Sequence, residues 1–339
     1  MSTETAEPAI AAAAFPDPAG PDPAGPDPAG PDPAGPGPAG PAEPGERQEL
    51  YPVVPDVRVR DVVLDAEGVA LSALIATPPP WIPPRATVFA VHGGGMRAGY
   101  FDARVHPGQS LLTLGASLGF TVVAVDRPGY GLSAERFPTG ATLAEQSGLL
   151  HTALAQYARH HDTGAGMFLL AHSYGGKLAL HALADERGAA FLGADISGIG
   201  HRYAVDVRDP QAFHSRRTWS RHWGRLDLYP PGAFRAVKPL VTPMPLREAA
   251  EALRWGEEFP GLAARVRVPV RFTFAEHEGW WRHDEETIDS MRTAFPAGTQ
   301  VLFDRQPAAG HNISLGWAAR SYHLRALAFF EDCLLPHTT

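Results

Sequence analysis

Short apolar runs recur along residues 55–336 and alternate with stretches of helical periodicity. The runs that predict strands are Val57–Leu64, Val69–Ala76, Ala86–Val91, Thr121–Val125, Met167–Ala171, Phe191–Ile196, Val268–Phe274 and Gln300–Phe303. The stretches that predict helices are 106–118, 141–161, one beginning near Tyr174, 284–294 and 314–334. Uninterrupted apolar strands need cover on both faces, so this alternation predicts an α/β fold with a mostly parallel central sheet and helices on both faces. The first two runs flank Glu67-Gly68 and predict a hairpin.

Residues 199–265 break this alternation. The segment contains several aromatic residues, a Pro230-Pro231-Gly232 turn and short helical stretches such as 246–256. We interpret it as a helical cap, or lid, inserted over the strand ends of a core that is formed by residues 51–198 and 266–339.

Two tryptophans of this inserted segment are candidates for substrate contact. Cleft-lining positions in enzymes are often aromatic, and on that ground we expect Trp219 and Trp223 to line a pocket. The alternative is that they form a small apolar core within the cap itself.

Residues 1–50 differ in composition from the rest of the chain. The first 46 residues hold 13 of the 34 prolines, and residues 16–40 are five tandem pentads, four of them Pro-Asp-Pro-Ala-Gly. Proline removes a backbone donor and glycine adds chain entropy, so the segment predicts a disordered, partly polyproline II tail. A repeat-expanded tail without a catalytic role is the favoured interpretation, and a tether to a partner protein is the alternative.

The formal net charge of −8 comes from the N-terminal tail. The first 46 residues carry eight acids and no base, whereas the remaining residues carry 29 acids and 29 bases. Because residues 47–339 carry no surplus positive charge, they are not expected to bind nucleic acid or anionic lipid.

The single cysteine, Cys333, excludes an intrachain disulfide and a cysteine-rich zinc site. No run approaches the roughly 20 apolar residues of a membrane helix, and without a positively charged leader we expect a cytoplasmic protein.

A serine stands at the junction between a predicted strand and a predicted helix. The residues around it are Ala171-His172-Ser173-Tyr174-Gly175-Gly176. A tight strand-to-helix turn requires small residues two positions either side of the central one, and it projects the Ser173 Oγ into the cleft as a nucleophile. The Tyr174 amide then lies at a helix N-terminus, where it can donate to an oxyanion. A serine that caps a helix in an ordinary loop is the alternative.

A glycine-rich loop, His92-Gly93-Gly94-Gly95, follows the strand Ala86–Val91. Glycines leave backbone N–H groups unobstructed where a tetrahedral oxyanion would form. Gly94 is the first candidate donor and Gly95 the second, and we expect His92 to support the loop through hydrogen bonds. A plain flexible turn is the alternative.

A serine hydroxyl needs a histidine base that is itself oriented by a carboxylate. Among 15 histidines, His311 is selected by position, because it lies between the last predicted strand and the final helix. Glu278 is the expected acid, since it follows the preceding strand. Glu276 and Asp195 are the alternative acids.

A further loop, Asp126-Arg127-Pro128-Gly129-Tyr130-Gly131, follows the strand Thr121–Val125. Its glycines allow a sharp turn near the pocket wall, so we interpret the loop as structural. Arg127 is included as a candidate substrate contact.

Taken together, these motifs resemble the α/β-hydrolase fold with an inserted cap, over about residues 55–336. The resemblance implies that Ser173, Glu278 and His311 form a catalytic triad, in the family's order of serine, acid and histidine. The chain departs from the family pattern in having glutamate where aspartate is more usual, and Ala275 where glycine is common. Relatives that open epoxides or displace halide carry aspartate at the nucleophile position, so the serine implies acyl transfer.

The function implied by this resemblance is a serine hydrolase that cleaves an ester, thioester or lactone of a small to medium organic substrate through an acyl-enzyme. The substrate is expected to be apolar, and neither a cofactor nor a metal is expected. The alternative is a natural-product tailoring enzyme that catalyses elimination, for example of acetate, or cyclisation. A ligand-binding protein with a vestigial triad is disfavoured, because the serine turn, glycine loop and histidine are all intact.

Overall fold

The computed structural model describes residues 57–208 and 216–335; the predicted tail, residues 1–50, lies outside the described residues. The strands, in chain order, are β1 (Arg60–Ala66), β2 (Val69–Ala76), β3 (Thr87–Val91), β4 (Thr121–Val125), β5 (Met167–His172), β6 (Phe191–Ser197), β7 (Val270–His277) and β8 (Val301–Gly310). They form an eight-stranded sheet in the order β1-β2-β4-β3-β5-β6-β7-β8. Strand β2 pairs antiparallel with β1 and β4, and the other neighbours are parallel. The predicted fold class is thereby confirmed.

The described α-helices, in chain order, are α1 (Leu111–Ser117), α2 (Leu143–His160), α3 (Tyr174–Ala184), α4 (Arg216–Trp223), α5 (Ala233–Val237), α6 (Leu246–Ala252), α7 (Trp255–Ala263), α8 (Glu285–Thr293) and α9 (Ala319–Leu334). Helix α2 begins with a capping box between Thr142 and Glu145, which satisfies backbone donors that the first turn leaves free. The predicted helical stretch 246–256 is divided between α6 and α7. None of the described helices combines the length and apolar composition needed to cross a membrane.

The burial of the strands follows from the layers around them. Every residue of β3 and β4 is buried, as expected for parallel strands that helices cover on both faces. The hairpin of β1 and β2 is confirmed, with backbone φ angles of 52° at Glu67 and 87° at Gly68. Positive φ at both central residues matches the right-handed twist of paired strands.

The last strand is longer than predicted. The apolar run predicts Gln300–Phe303, whereas β8 continues to Gly310. Polar residues such as Asp304, Arg305 and Gln306 hide this extension from a hydrophobicity pattern, and pairing with β7 maintains it. As a consequence, His311 directly follows the end of the strand.

Two hydrophobic clusters cover the two faces of the sheet. One packs α2, α3 and α7 against one face, and the other packs α1 and α9 against the opposite face. Side chains alternate between them, as Phe89 enters the first cluster and Val88 the second. The segment predicted as an insertion, 199–265, is called the insertion below, and its residues 209–215 lie outside the described residues. It contributes Trp255 and Phe259 to the first cluster and Trp223 and Tyr229 to the second.

A buried lysine joins α3 to the insertion. The Lys177 ammonium lies between 5.2 and 5.7 Å from the centroids of four aromatic rings, those of Tyr174, Tyr203, Trp255 and Trp281. It donates a hydrogen bond to Tyr203 Oη at 2.8 Å, and this hydroxyl in turn donates to the Ala252 carbonyl at 3.0 Å. Burial lowers the pKa of Lys177 to about 7, against the opposing effect of three nearby carboxylates.

We predict that Lys177→Met reduces the pH dependence of stability. The usual lysine pKa of 10.5 applies to the unfolded chain, whereas the folded value is about 7. Between these values the unfolded state binds more protons, so this lysine makes stability rise with pH, and the gain is lost as pH falls through the folded pKa. From about pH 6 to about pH 9, the Tm of the wild type should rise by about 5 °C or more relative to that of the variant.

The measurement is thermal unfolding at each pH, and the other lysine of the chain, the exposed Lys238, supplies the control. Lys238→Met should follow the wild type at every pH. A constant Tm difference between wild type and Lys177→Met would contradict the prediction.

Candidate active site

The segments that carry the predicted site residues meet at one edge of the sheet. Neighbouring strands β3 and β5 lead into the glycine loop and into Ser173, and neighbouring strands β7 and β8 lead into Glu278 and His311. The carboxyl ends of parallel strands lie on one edge, which is where α/β proteins bind ligands. The topology therefore brings residues far apart in sequence to one place.

Ser173 has a backbone conformation that is unusual for a residue with a side chain. Its φ is 51° and its ψ is −119°, at the point where β5 passes into α3. The Ser173 N–H donates to the Ser197 carbonyl at 2.8 Å, and the Gly176 N–H donates to the Ser173 carbonyl at 2.8 Å. These bonds hold a conformation that would otherwise be sparsely populated. The tight strand-to-helix turn that the sequence predicts is therefore present, and its central residue has a strained backbone conformation.

Ser173, His311 and Glu278 form a continuous hydrogen-bonded chain. His311 Nε2 lies 3.0 Å from Ser173 Oγ, and His311 Nδ1 lies 2.9 and 3.1 Å from the two carboxylate oxygens of Glu278. An imidazole that donates its Nδ1–H to a carboxylate leaves Nε2 to accept the serine proton. The Trp280 N–H donates to Glu278 Oε1 at 2.9 Å and fixes the carboxylate from a second direction.

The alternative acids are engaged elsewhere. Glu276 is exposed and accepts the Ala308 N–H at 2.8 Å. Asp195 is buried, where it accepts hydrogen bonds from Arg271 at 2.5 Å and from the Tyr322 hydroxyl at 2.8 Å. Of the three candidate acids, Glu278 is the one that is hydrogen-bonded to His311.

Two further imidazoles pack against His311. The ring centroids of His172 and His222 lie 4.9 and 5.9 Å from that of His311. Burial lowers the pKa of His172 well below its usual value, and it lowers the pKa of His222 to about 3. Both rings are neutral at physiological pH, so neither places a positive charge beside His311. In the described part of the chain, no three histidine, cysteine or acidic side chains are grouped to hold a metal ion.

His92 supports the glycine loop through two hydrogen bonds of its ring. Its Nδ1–H donates to the Gly93 carbonyl at 2.9 Å, and its Nε2 accepts the Arg127 N–H at 3.0 Å. Burial and the neighbouring Arg127 charge lower the pKa of His92 to about 3, so the ring is neutral in this tautomer. These contacts agree with the supporting role expected for His92.

The three predicted oxyanion donors differ in their surroundings. The Gly95 N–H donates to Tyr130 Oη at 3.1 Å, so this amide already has an acceptor. No described residue accepts from the amides of Gly94 or Tyr174. A Cβ at Gly93 would lie 3.1 Å from the Ser173 Cβ, which shows how closely the loop approaches the serine. The geometry thus leaves Gly94 and Tyr174 as the available pair, and Gly95 is not part of it.

The expected substrate contact of Arg127 needs correction. The side chain has no exposed surface. Its guanidinium forms a salt bridge with Glu248 of α6, with Nη1 2.6 Å from Oε1 and Nη2 3.0 Å from Oε2. A group enclosed in this way has no face left for a ligand. The arginine lies instead behind the glycine loop, where it joins the core to the insertion.

The two predicted pocket tryptophans belong to an aromatic cluster in the insertion. Trp223 is buried against the rings of Tyr229 and Phe234, and Trp219 is half-buried beside Trp223. The cluster adjoins the site, because a Cβ at Gly310 would lie 2.9 Å from Tyr229 Oη. The packing fits the alternative of a small apolar core, and substrate contact by these residues stays a prediction.

Two residues of the insertion that lie close to the site are not predicted from the sequence. Glu248 accepts the Arg127 salt bridge, and Met244 lies over the glycine loop, with its Sδ 3.1 Å from where a Gly94 Cβ would stand. Neither residue follows a strand, so the rule that locates sites at strand ends does not find them. A buried arginine requires an anionic partner, but nothing in the sequence says which acid supplies it.

The fold and the chain order of the site define the class of protein. A mostly parallel sheet with a serine at the turn after β5, followed by an acid and a histidine beyond later strands, is the architecture of the α/β hydrolases. The sequence matches the model of the alpha/beta hydrolase family over residues 87–328. This span exceeds half of the chain, and the protein belongs to that family.

Solved structures with the same fold include three enzymes. A highly thermostable carboxyl esterase from Bacillus coagulans is 17% identical, with a TM-score of 0.60 over 82% of this chain and 99% of that chain. N-acyl homoserine lactonase AidH is 14% identical (TM-score 0.57, 83% of this chain and 100% of that chain). A soluble variant of monoglyceride lipase from Saccharomyces cerevisiae is 15% identical (TM-score 0.57, 85% and 98%). Identities this low show the fold alone, and none of the curated proteins compared with the chain matches it.

We predict that Gly175→Ala destabilises the protein strongly. A Cβ at position 175 would lie 2.3 Å from the Val91 carbonyl oxygen and 2.6 Å from that of His92. Backbone atoms cannot move aside as a flexible side chain can, so we expect a loss of about 3 kcal/mol or more in the free energy of unfolding. Denaturant unfolding measures this quantity.

The matched control is Gly148→Ala in the interior of α2, where a Cβ would meet nothing within 4 Å. Alanine costs less chain entropy than glycine in a helix, so this variant should gain about 0.5 kcal/mol. Equal stabilities of the two variants would contradict the steric argument.

Proposed function

We propose that the protein is a serine hydrolase that cleaves an ester, thioester or lactone of a small to medium organic substrate. The observation that carries the proposal is the hydrogen-bonded chain from Ser173 Oγ to His311 Nε2, at 3.0 Å, and from His311 Nδ1 to Glu278, at 2.9 Å. Membership of the alpha/beta hydrolase family supports it, as does the shared fold with an esterase, a lactonase and a lipase.

The mechanism follows from this geometry. Ser173 Oγ attacks the substrate carbonyl carbon while His311 Nε2 takes the hydroxyl proton, and Glu278 stabilises the imidazolium that results. The amides of Gly94 and Tyr174 donate to the oxyanion. His311 then protonates the leaving alcohol or thiol as the acyl-enzyme forms. A water molecule gives a proton to His311 and attacks the acyl carbon, and His311 returns that proton to Ser173 Oγ as the acid is released.

We propose that the insertion acts as a cap over this reaction. The Thr242 N–H donates to the Gly95 carbonyl at 3.0 Å, and the His222 carbonyl accepts from both the backbone and the side-chain amide of Asn312, beside His311. Excluding water strengthens hydrogen bonds to the oxyanion. The apolar acyl or alcohol group that we propose for the substrate rests on the sequence prediction that Trp219 and Trp223 line the pocket.

Removal of the nucleophile or the base is expected to abolish most of the activity. Ser173→Ala and His311→Ala should each lower kcat for an activated ester by about 10³-fold or more, because the triad acts as a unit. The double variant should be no worse than either single one. Near wild-type turnover by either variant, measured by p-nitrophenol release, would refute the assignment.

The acid is tested by comparing Glu278, which follows β7, with Glu276 near the end of that strand. Glu278→Gln should lower kcat by about 10²-fold or more, since a glutamine cannot stabilise the imidazolium. Glu276→Gln should retain the wild-type kcat, because its exposed side chain can still accept the Ala308 N–H. If Asp195→Asn were worse than Glu278→Gln, the acid would be misassigned.

The reaction type is tested by labelling and product analysis. A fluorophosphonate should label the wild type and leave Ser173→Ala unlabelled, and an unlabelled wild type would favour a binding protein.

Product analysis distinguishes hydrolysis from elimination. Esters of varied chain length are incubated with the enzyme in heavy-oxygen water. Hydrolysis places one heavy oxygen atom in the released acid, whereas elimination leaves a new double bond and an unlabelled carboxylate.

A further inference from the structure

We propose that Glu248, a residue of the insertion, is a positioning residue that holds the Gly94 amide in the direction of the oxyanion. This inference rests on the proposed hydrolase function, because it assigns to Glu248 the orientation of one of that reaction's hydrogen-bond donors. Glu248 acts through Arg127 and Tyr130 and touches no reacting atom.

The Glu248 carboxylate is enclosed and satisfied by donors of the core. It has no exposed surface, and it accepts from Arg127 Nη1 and Nη2 at 2.6 and 3.0 Å, from the Tyr130 hydroxyl at 2.7 Å and from Gln146 Nε2 at 3.1 Å. The guanidinium also lies against the rings of Tyr130 and Tyr174, at 4.7 and 4.8 Å from their centroids. With these two ring contacts and a bidentate carboxylate partner, the arginine is confined to one orientation.

The same guanidinium holds the peptide on the N-terminal side of Gly94. Arg127 Nε donates to the His92 carbonyl at 2.8 Å, and Nη2 approaches the Gly93 carbonyl at 3.3 Å. The Gly93 carbonyl and the Gly94 N–H belong to one planar peptide and point in opposite directions. Fixing this carbonyl toward Arg127 therefore directs the Gly94 N–H away from it.

Tyr130 holds the peptide on the other side of Gly94. Its oxygen accepts the Gly95 N–H at 3.1 Å while its hydroxyl proton is donated to Glu248. A phenol that donates to a carboxylate has its lone pairs turned toward the amide, so the two bonds reinforce each other. Both peptides that flank Gly94 are thus held by groups that converge on one carboxylate.

This restraint matters because the loop is built of glycines. Three consecutive glycines follow His92, and glycine has the widest choice of backbone conformations. An oxyanion donor contributes to rate only if it is oriented before the reaction, since reorientation during the reaction would cost free energy. The glycine loop leaves room for an oxyanion, and hydrogen bonds with Arg127 and Tyr130 restrain its backbone. Glu248 of the insertion binds both of these side chains and so holds them in place.

The test compares the affinity for an oxyanion with the affinity for substrate. The probe is an aryl trifluoromethyl ketone. Ser173 Oγ adds to its carbonyl carbon, the hydroxyl proton passes to His311, and the ketone oxygen becomes an oxyanion. In Glu248→Gln, kcat should fall by about 10- to 100-fold and the Ki of this ketone should rise by the same factor, while KM changes by less than about threefold. Fluorophosphonate titration counts the active sites, so that misfolded protein is excluded from kcat.

Two further variants keep the outcome decisive. Tyr130→Phe removes one hydroxyl and leaves the Arg127–Glu248 pair, so this variant should fold even if Glu248→Gln does not. Its kcat should fall by about tenfold, and the Ki of the ketone should rise by about the same factor. Glu257→Gln, at an exposed position of α7, should match the wild type in every measurement.

The possible results separate the two proposals. If Glu248→Gln and Tyr130→Phe lose active sites but keep the wild-type Ki, the network is only a structural anchor and the inference is overturned. If the wild type forms no ketone adduct and no fluorophosphonate adduct, both the proposed hydrolase and this inference are overturned.

Discussion

A close backbone approach between the turn after β5 and the end of β3 fixes the geometry of the candidate site. A side chain at position 175 would collide with the Val91 carbonyl oxygen at 2.3 Å, so α3 can begin here only with glycine at that position. This contact brings the helix N-terminus, the glycine loop and Ser173 into one small volume. The positive φ of Ser173 persists because hydrogen bonds on both sides of the turn hold it.

Much of this arrangement is readable from the sequence, because parallel strands place the residues that follow them at one edge. Ser173, His311 and the glycine loop are found in this way. The acid is harder to identify, since Glu276 and Glu278 both follow the predicted strand Val268–Phe274 and stand two residues apart. The ladder between β7 and β8 is irregular between Ala275 and His277. Glu276, at this irregularity, is exposed, whereas Glu278, beyond the end of β7, is buried against His311.

The contacts of Arg127 cannot be predicted from the rule that site residues follow the strand ends. The arginine follows a strand and so suggests a substrate contact, yet it is neutralised by a carboxylate 121 residues further along the chain. Helix α6 follows no strand of the sheet, so no periodicity or spacing indicates where Glu248 lies. The extension of β8 is hidden for a related reason: its ladder with β7 stabilises it, whereas its own residues are polar.

The insertion is packed into both sides of the molecule, and this limits how a ligand can enter. Trp255 and Phe259 are buried on one face of the sheet, and Trp223 and Tyr229 on the other. A rigid hinged swing of the whole segment would expose both apolar surfaces to water, at a cost comparable to unfolding the domain. Entry and exit past the described part of the insertion therefore require small local rearrangements of side chains and short segments.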